Sequence, residues 1–230
     1  MILAINTSTP QFGLALLDDD GTILAEYFMS KEKGHFGSLM PALHFLLSTL
    51  KADIHDQKAV VVAIGPGSFT GLRVGLSAAK GLCHGLEIPL IGIPSLVALA
   101  SQIPYADLPI APILYSRKRE LYTAQFIRNN GHSLTRSMND MAFMIDDLPS
   151  IFRRPSLFIG NDFQDQSQML QKALGSLAHF APPIYWSLKA SSVGALGLTR
   201  FKNNDLDDPL TLEPIYLRPP EIRHSPFLTV

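Results

Sequence analysis

The hydrophobic and polar positions along the chain predict alternating buried strands and amphipathic helices. Residues 60–64 form an unbroken apolar run, which is typical of a strand buried on both faces of a sheet. Glycine and proline follow this run, and the small and apolar residues 72–86 then predict a helix that Ser68 or Thr70 can cap. The stretch from residue 60 to residue 87 is therefore predicted to be a strand, a tight loop and a helix.

The rest of the first half predicts three strands before a first helix, and a strand and helix after the central stretch. A turn rich in threonine and serine joins the first two strands, and a hairpin leads into the third. Apolar residues then recur at intervals of three and four, which indicates an amphipathic helix. The predicted strands are residues 2–5, 12–17, 22–29 and 89–93, and the predicted helices are residues 38–50 and 95–100.

The second half repeats this order without repeating the letters. Two tandem β-β-β-α-β-α units suggest a duplication, which is the plan of the α/β fold shared by actin, Hsp70 and the sugar kinases. Pro104 and Pro109 interrupt the pattern between the units, so we predict one subdomain at residues 1–104 and another at 105–230. The predicted elements of the second half are strands at 110–115, 120–127, after the turn at 129–131 and at 156–160, and helices at 141–148, 163–173 and 192–201.

Composition and charge narrow the class of protein. The chain has 230 residues, of which 47% are hydrophobic, so it can bury sizeable cores. Its net charge is -1, and it has no basic cluster larger than residues 117–119. A protein that binds nucleic acid by itself usually has a larger basic patch. The N-terminus has no secretory pattern, and no apolar run approaches the roughly 20 residues of a membrane helix, so we expect a cytoplasmic protein. The single cysteine, Cys83, is predicted to be a buried structural thiol.

The common motifs of phosphate, metal and nucleophile chemistry do not fit the central loop. Its glycines are spaced wrongly for G-x-G-x-x-G, and no lysine follows the second glycine as a P-loop requires. The surroundings of Ser68 do not match the G-x-S-x-G elbow, because positions 66 and 70 are proline and threonine. His35 and His44 are nine residues apart, and no histidine pair has the i, i+4 spacing of a helical metal site. We therefore predict neither a catalytic residue nor a metal site.

The stretch GPGSFTGLRVG at residues 65–75 resembles the signature of the TsaB family, also called YeaZ, whose members are bacterial proteins of threonylcarbamoyladenosine synthesis in tRNA. Three further blocks stand in family order: MILAINTSTPQFGLALL at the start, IPLIGIPSLVALA after the signature, and LEPIYLRPP near the end. The resemblance implies the actin-like fold described above. The predicted signature loop comprises Gly65, Pro66, Gly67, Ser68, Thr70 and Arg73.

The resemblance implies a non-catalytic scaffold that binds the paralogue TsaD and promotes transfer of the threonylcarbamoyl group to adenosine 37 of tRNA. It also implies the ATPase TsaE as a second partner, only indirect contact with tRNA, and a homodimer when TsaD is absent. The isolated chain is expected to hold no cofactor, and ATP or ADP at the interface with TsaD is left open. The alternative is an ATP-dependent small-molecule kinase or ATPase of the same fold.

Two positions separate these two classes. Kinases of this fold place a second acidic, glycine-rich phosphate loop at the start of their second half, where this chain has Tyr115 and Ser116. The other is position 6. The superfamily places a metal-binding carboxylate there, whereas this chain has Asn6, and an amide is a weaker ligand for Mg²⁺. Asn6 is equally well explained as an Asx-turn residue. The chain also departs from the family at His35-Phe36-Gly37, at Tyr115-Ser116-Arg117 and at Gly160-Asn161-Asp162, which puts ligand roles of those loops in doubt.

Small residues in the signature helix predict a surface for a partner. Glycine inside a helix costs about 1 kcal/mol relative to alanine, so several of them need a reason. Packing inside the domain explains some of them, and the resemblance implies a helical bundle with TsaD for the others. Arg73 stands near the helix N-terminus, where a cation is unfavourable, and we expect an internal salt bridge in preference to a nucleotide phosphate. The predicted interface residues are Phe36, Leu39, Leu43, Gly71, Gly75 and Ala79.

Overall fold

The computed structural model describes residues 1–29, 35–117, 119–129 and 133–218, except for the side chains of His35 and Phe36. Two five-stranded mixed sheets form its framework, which confirms the predicted α/β class. The first sheet has the order β3-β2-β1-β4-β5, in which β1 is antiparallel to β2 and parallel to β4. Its strands are β1 Ile2–Asn6, β2 Phe12–Leu17, β3 Ile23–Met29, β4 Ala59–Gly65 and β5 Leu90–Pro94.

Helices cover both faces of the first sheet, which is why its central strands are apolar throughout. Successive side chains of a strand point to opposite faces, so Leu3 and Ile5 of β1 join the core beneath the helices α1 and α2, whereas Ile2 and Ala4 join the core on the other face. The helices of the first half are α1 Leu39–Leu50, α2 Phe69–Leu86 and α3 Ser95–Ser101.

The second sheet has the order β10-β9-β6-β7-β8 and follows the same plan. Its elements are β6 Ile110–Tyr115, β7 Glu120–Arg128, β8 Leu134–Met144, α4 Leu148–Ile151, β9 Ser156–Gly160, α5 Phe163–Leu174, β10 Ala178–Phe180 and α6 Ala190–Lys202. Short 3-10 turns lie at His35–Ser38, Ile54–Asp56, Ile145–Asp147, Gly175–Leu177 and Pro183–Tyr185.

The predicted helix at residues 141–148 is wrong. Met141 pairs with Thr123 and Met144 pairs with Glu120, so these residues complete β8 and the helix α4 begins only at Leu148. Pairing with β7 outweighs a local periodicity that is too short to favour a helix by itself. The three-residue strand β10 was not predicted, since so short a run carries little pattern of its own.

The last helix of each half lies between the two sheets. Helix α6 packs against β1, β2 and β4 of the first sheet, and α3 packs against β6 of the second. After α6 the chain returns along the first sheet: the amide of Asp207 donates to the carbonyl of Leu90 at 3.0 Å, and the amide of Ile215 donates to that of Ile64 at 2.7 Å. We call residues 203–218 the C-terminal strap. The division of the chain at residue 104 stays a prediction.

None of the helices in the part of the chain that the structure describes is both long enough and apolar enough to span a bilayer.

Candidate functional site

The signature loop packs directly on the turn between β1 and β2. Gly65 has a φ of 110° and is followed by a cis peptide bond to Pro66. The amide of Ser68 then donates to the carbonyl of Ser8 at 2.7 Å, and a Cβ on Gly67 would lie only 2.0 Å from that same oxygen. Residue 67 must therefore be glycine for the two turns to meet.

Ser68 is the N-cap of α2, so of the two predicted candidates, Ser68 and Thr70, the first is the cap. Its hydroxyl accepts a hydrogen bond from the amide of Gly71 at 3.2 Å, which satisfies one of the free amides of the first turn. Thr70 is exposed and contributes instead to the wall of a cleft. The Ser68 hydroxyl therefore serves as the cap of α2.

A cleft of about 850 Å³ lies between the two halves of the chain. The turn after β1 and the signature loop form one wall, and the turn after β6 forms the other, while Tyr216 and Arg218 of the strap close one end. Within the described residues, this lining contains no aspartate or glutamate. The cleft is lined by Ser8, Thr9, Pro10, Gly67, Ser68, Phe69, Thr70, Leu114, Tyr115, Ser116, Arg117, Tyr122, Asn161, Tyr216 and Arg218.

Asn6, at the position of the superfamily carboxylate, is fully buried and uses both ends of its amide. Its Oδ1 accepts from the amide of Ser8 at 3.0 Å and from the Ser8 hydroxyl at 2.8 Å, which is the predicted Asx turn. Its Nδ2 donates to the carbonyl of Leu188 at 2.8 Å, just before α6. The last bond needs a donor, which an ionised carboxylate lacks. Asn6 therefore connects the two halves.

Asn6→Asp is expected to lower the free energy of unfolding by about 1–3 kcal/mol at pH 7, because a carboxylate oxygen would face the Leu188 carbonyl without a proton. A protonated aspartic acid can donate to that carbonyl, so the folded pKa of the new side chain lies above its unfolded value of about 3.9. The loss should therefore be complete at pH 7 and shrink as the pH falls towards 4. Urea unfolding at both pH values measures it.

Asn139→Asp is the matched control, since Asn139 is exposed in β8. Its free energy of unfolding should stay within about 0.5 kcal/mol of the wild type. An Asn6→Asp protein as stable as this control at pH 7 would show that the bond to Leu188 contributes nothing.

Two buried glutamines, which the sequence did not single out, hold the loop at residues 160–162, whose Asn161 lines the cleft. Gln11 donates from Nε2 to the carbonyl of Asn161 at 2.6 Å and so joins the first hairpin to the second half. Gln166, fully buried in α5, accepts at Oε1 from the amides of Asn161 and Asp162 at 3.0 and 3.1 Å. The divergent loop at residues 160–162 is thus held by its own helix. No pattern in the sequence marks either glutamine.

The turn after β6 contributes Tyr115, Ser116 and Arg117 to the lining of the cleft. Tyr115 is half-buried, and burial raises the pKa of its hydroxyl, with further contributions from Asp165 and Asp162. Ser116 donates from Oγ to Oε2 of Glu120 at 2.8 Å, and Arg218 of the strap forms an ion pair with the other oxygen of that carboxylate. Ser116, at the position of a kinase phosphate loop, therefore contacts the same carboxylate that pairs with the strap.

The small and apolar residues of α1 and α2 that were predicted to form a partner surface point inward in this chain at Leu39, Leu43, Gly71, Gly75 and Ala79. All five are buried within their own half. Helix α1 packs on β2 and β3, and α2 packs on β4, β1 and the turn after β1, where a Cβ on Gly75 would lie 2.1 Å from Oγ1 of Thr7. The side chain of Phe36 lies outside the described residues.

The outward faces of the same helices present other residues. On α1, the side chains of Met40 and Phe45 are 54% and 59% exposed, which is unusual for large apolar groups. On α2, Gly81 and Gly85 are exposed, and a Cβ on either would meet no atom within 4 Å. Packing within the chain therefore does not explain this second pair of small residues.

Arg73 does not form the predicted internal salt bridge. Its Nε donates to the hydroxyl of Tyr216 at 3.1 Å, and its guanidinium carbon lies 3.9 Å from the centre of the Phe69 ring. No carboxylate among the described residues comes within 4 Å of it. An aromatic pair, one member of which is 143 residues away in the sequence, takes the place of the expected anion.

Cys83 is a buried thiol, as predicted. Its Sγ donates to the carbonyl of Pro89 at 3.3 Å, and burial raises its pKa to about 11. At neutral pH it is therefore protonated and poorly reactive.

Comparison with known proteins identifies the family. The model of TsaD, the tRNA N6-adenosine threonylcarbamoyltransferase, matches residues 22–218. The chain is 36% identical to the tRNA threonylcarbamoyladenosine biosynthesis protein TsaB of Bacillus subtilis. The alignment spans 220 residues and covers 94% of this chain and 93% of that protein. It is 32% identical to TsaB of Escherichia coli over 130 residues, or 56% of this chain and 55% of that protein.

The fold agrees with these matches. YeaZ from Pseudomonas aeruginosa superposes with a TM-score of 0.76 at 20% identity, covering 94% of this chain and 99% of that one. An activator of 2-hydroxyisocaproyl-CoA dehydratase from Clostridium difficile superposes at 0.50 with 11% identity, over 88% and 97% of the two chains. These likenesses confirm the actin-like fold. The chain belongs to the TsaB (YeaZ) family, within the wider group that the TsaD model matches.

Proposed function

We propose that this chain is the non-catalytic partner of TsaD in the synthesis of threonylcarbamoyladenosine at position 37 of tRNA, and that it promotes threonylcarbamoyl transfer by the complex. Membership of the TsaB family supports a role in threonylcarbamoyladenosine synthesis. The observation that carries the non-catalytic role is Asn6, whose amide bonds to Ser8 and Leu188 where a metal-binding carboxylate would be needed. No observation favours the kinase alternative.

The contact with TsaD is proposed to use the outward faces of α1 and α2. Met40 and Phe45 supply exposed apolar area, and Gly81 and Gly85 leave space for a helix to approach closely. In the absence of TsaD the same faces would pair in a homodimer. TsaE and tRNA are proposed to bind through TsaD, and a nucleotide, ATP or ADP, is proposed to bind at the interface with TsaD.

The test is a reconstituted tRNA modification assay with TsaD, TsaE and the threonylcarbamoyl donor, with and without this chain. We expect modification to need the chain, and the isolated chain to hydrolyse no ATP. Phe45→Asp should reduce modification at least tenfold, since it places a charge on the proposed contact. Modification that proceeds equally well without the chain would refute the proposal.

Ile184→Asp is the matched control because Ile184 is 72% exposed but lies in the second half, away from α1 and α2. It should modify tRNA at the wild-type rate. Equal losses in the two variants would show that any exposed aspartate disturbs the assay, and would remove the support for a specific face.

A further inference from the structure

A notch of about 370 Å³ opens beside α2 and shares Tyr216 with the lining of the cleft. One wall is the outward face of α2, and the other is the C-terminal strap. The strap is fixed there, since its Ile215 amide bonds to the end of β4 and the Asp207 carboxylate accepts from the amide of Gly92 at 2.7 Å. The notch is lined by Arg73, Leu76, Ser77, Lys80, Leu212, Glu213, Pro214 and Tyr216.

Arg73 is held in place at the head of this notch. Phe69 and Tyr216 pack with their ring centres 5.2 Å apart, the guanidinium lies over the Phe69 ring, and Nε donates to the Tyr216 hydroxyl. These contacts fix the plane of the guanidinium and use its Nε. Arg73 remains exposed, and its two terminal NH₂ groups form an edge suited to the two oxygens of one carboxylate.

The charges around the notch favour a carboxylate over a phosphate. Lys80 lies about two turns along the same helix and adds a second cation. Glu213 on the strap opposes them, so the three side chains sum to one positive charge. A single carboxylate would neutralise that charge, whereas a phosphate with about two negative charges would leave the notch with a net negative charge.

We propose that the notch receives an aspartate or glutamate side chain of the partner protein, with Arg73 binding it through both terminal nitrogens and Lys80 assisting. The inference rests on the proposed function, because the notch lies on the helix that is proposed to face TsaD. It assigns to the signature arginine a role in recognising the partner, and it requires an acidic residue on the docking face of TsaD.

The experiment measures binding of the full chain to purified TsaD by calorimetry at low and high salt. Arg73→Ala should weaken binding 10- to 100-fold at low salt, and the difference from the wild type should shrink as salt rises. Arg73→Lys and Tyr216→Phe should have affinities between those of the wild type and Arg73→Ala. The first keeps the positive charge without the two parallel N–H donors of arginine, and the second removes the hydroxyl that orients the guanidinium. Arg153→Ala, at an exposed arginine in the second half, should bind normally.

Failure of the inference and failure of the proposed function are distinguishable. A wild-type chain that does not bind TsaD refutes the proposed function. A wild type that binds, together with an Arg73→Ala variant that binds within twofold of it, overturns the inference alone. Loss of tRNA binding by Arg73→Ala with an unchanged affinity for TsaD also overturns it, in favour of a phosphate ligand.

A charge-reversal rescue identifies the partner residue. Arg73→Glu is tested against a panel of TsaD variants with single Asp→Lys or Glu→Lys changes. We expect one of them to recover at least tenfold in affinity, which a merely structural role of Arg73 would not produce. Thermal unfolding of each Arg73 variant, with a shift of no more than a few degrees, confirms that the folded chain is being compared.

Discussion

Gly75→Ala is expected to lower the free energy of unfolding by about 2–4 kcal/mol, although alanine is the better helix former. The new methyl group would lie 2.1 Å from Oγ1 of Thr7, a buried side chain that donates to the carbonyl of Gly71 at 2.7 Å. Relief requires Thr7 to rotate and lose this bond, or α2 to move away from β1. Urea unfolding followed by circular dichroism measures the loss.

Gly81→Ala is the matched control in the same helix. A Cβ at Gly81 meets no atom within 4 Å, so alanine there should raise the free energy of unfolding by about 0.5–1 kcal/mol through helix propensity. The two substitutions are chemically identical and differ only in what the methyl group meets. A Gly75→Ala variant that is stabilised like Gly81→Ala would contradict the packing described for Thr7.

Combining Gly75→Ala with Thr7→Ala tests the contact itself. Thr7→Ala alone should destabilise the protein, because the buried hydrogen bond from Thr7 to the Gly71 carbonyl is lost. It also removes the atom that the new methyl group would strike. The double variant should therefore lose less stability than the sum of the two single variants, by about 1 kcal/mol or more.

The sequence was sufficient to predict the elements whose pattern is local. The run at residues 60–64 shows burial on both faces, and Ser68 stands where a helix cap is needed; both are present in the structure. The helix predicted at residues 141–148 failed because β8 is decided by pairing with β7, which lies up to 24 residues away along the chain.

The candidate site is built by contacts between residues that are distant in the sequence. The spacing of residues along the chain does not reveal such contacts. Glycines four apart mark one face of α2, but the same spacing suits a partner helix and the turn after β1 equally well. That Thr7 fills this space follows only from the fold. For Arg73, the position near a helix N-terminus predicted an anionic partner. In the structure its partner from the strap is the hydroxyl of Tyr216. The strap itself, which closes the cleft, has no periodic pattern by which it could be placed.

Arg218→Ala is expected to lower the free energy of unfolding by about 2–4 kcal/mol. Glu120 begins β7 with its side chain only 4% exposed, and Arg218 of the strap forms an ion pair with it. Removing the arginine leaves a buried carboxylate whose remaining described side-chain partner is the hydroxyl of Ser116. The magnitude lies at the lower end for buried pairs because Arg218 is itself 45% exposed and water can partly replace it.

Glu120→Gln separates the buried charge from the loss of contact. Glutamine keeps an acceptor for Ser116 but carries no charge, so the double variant Glu120→Gln, Arg218→Ala should recover at least half of the stability that Arg218→Ala loses. Trp186, the single tryptophan, is buried in the second half. Its fluorescence therefore reports whether that half unfolds together with the whole chain. If Arg218→Ala and the double variant were equally unstable, the strap would hold the second sheet by packing rather than by charge, and the ion pair across the end of the cleft would be incidental to its shape.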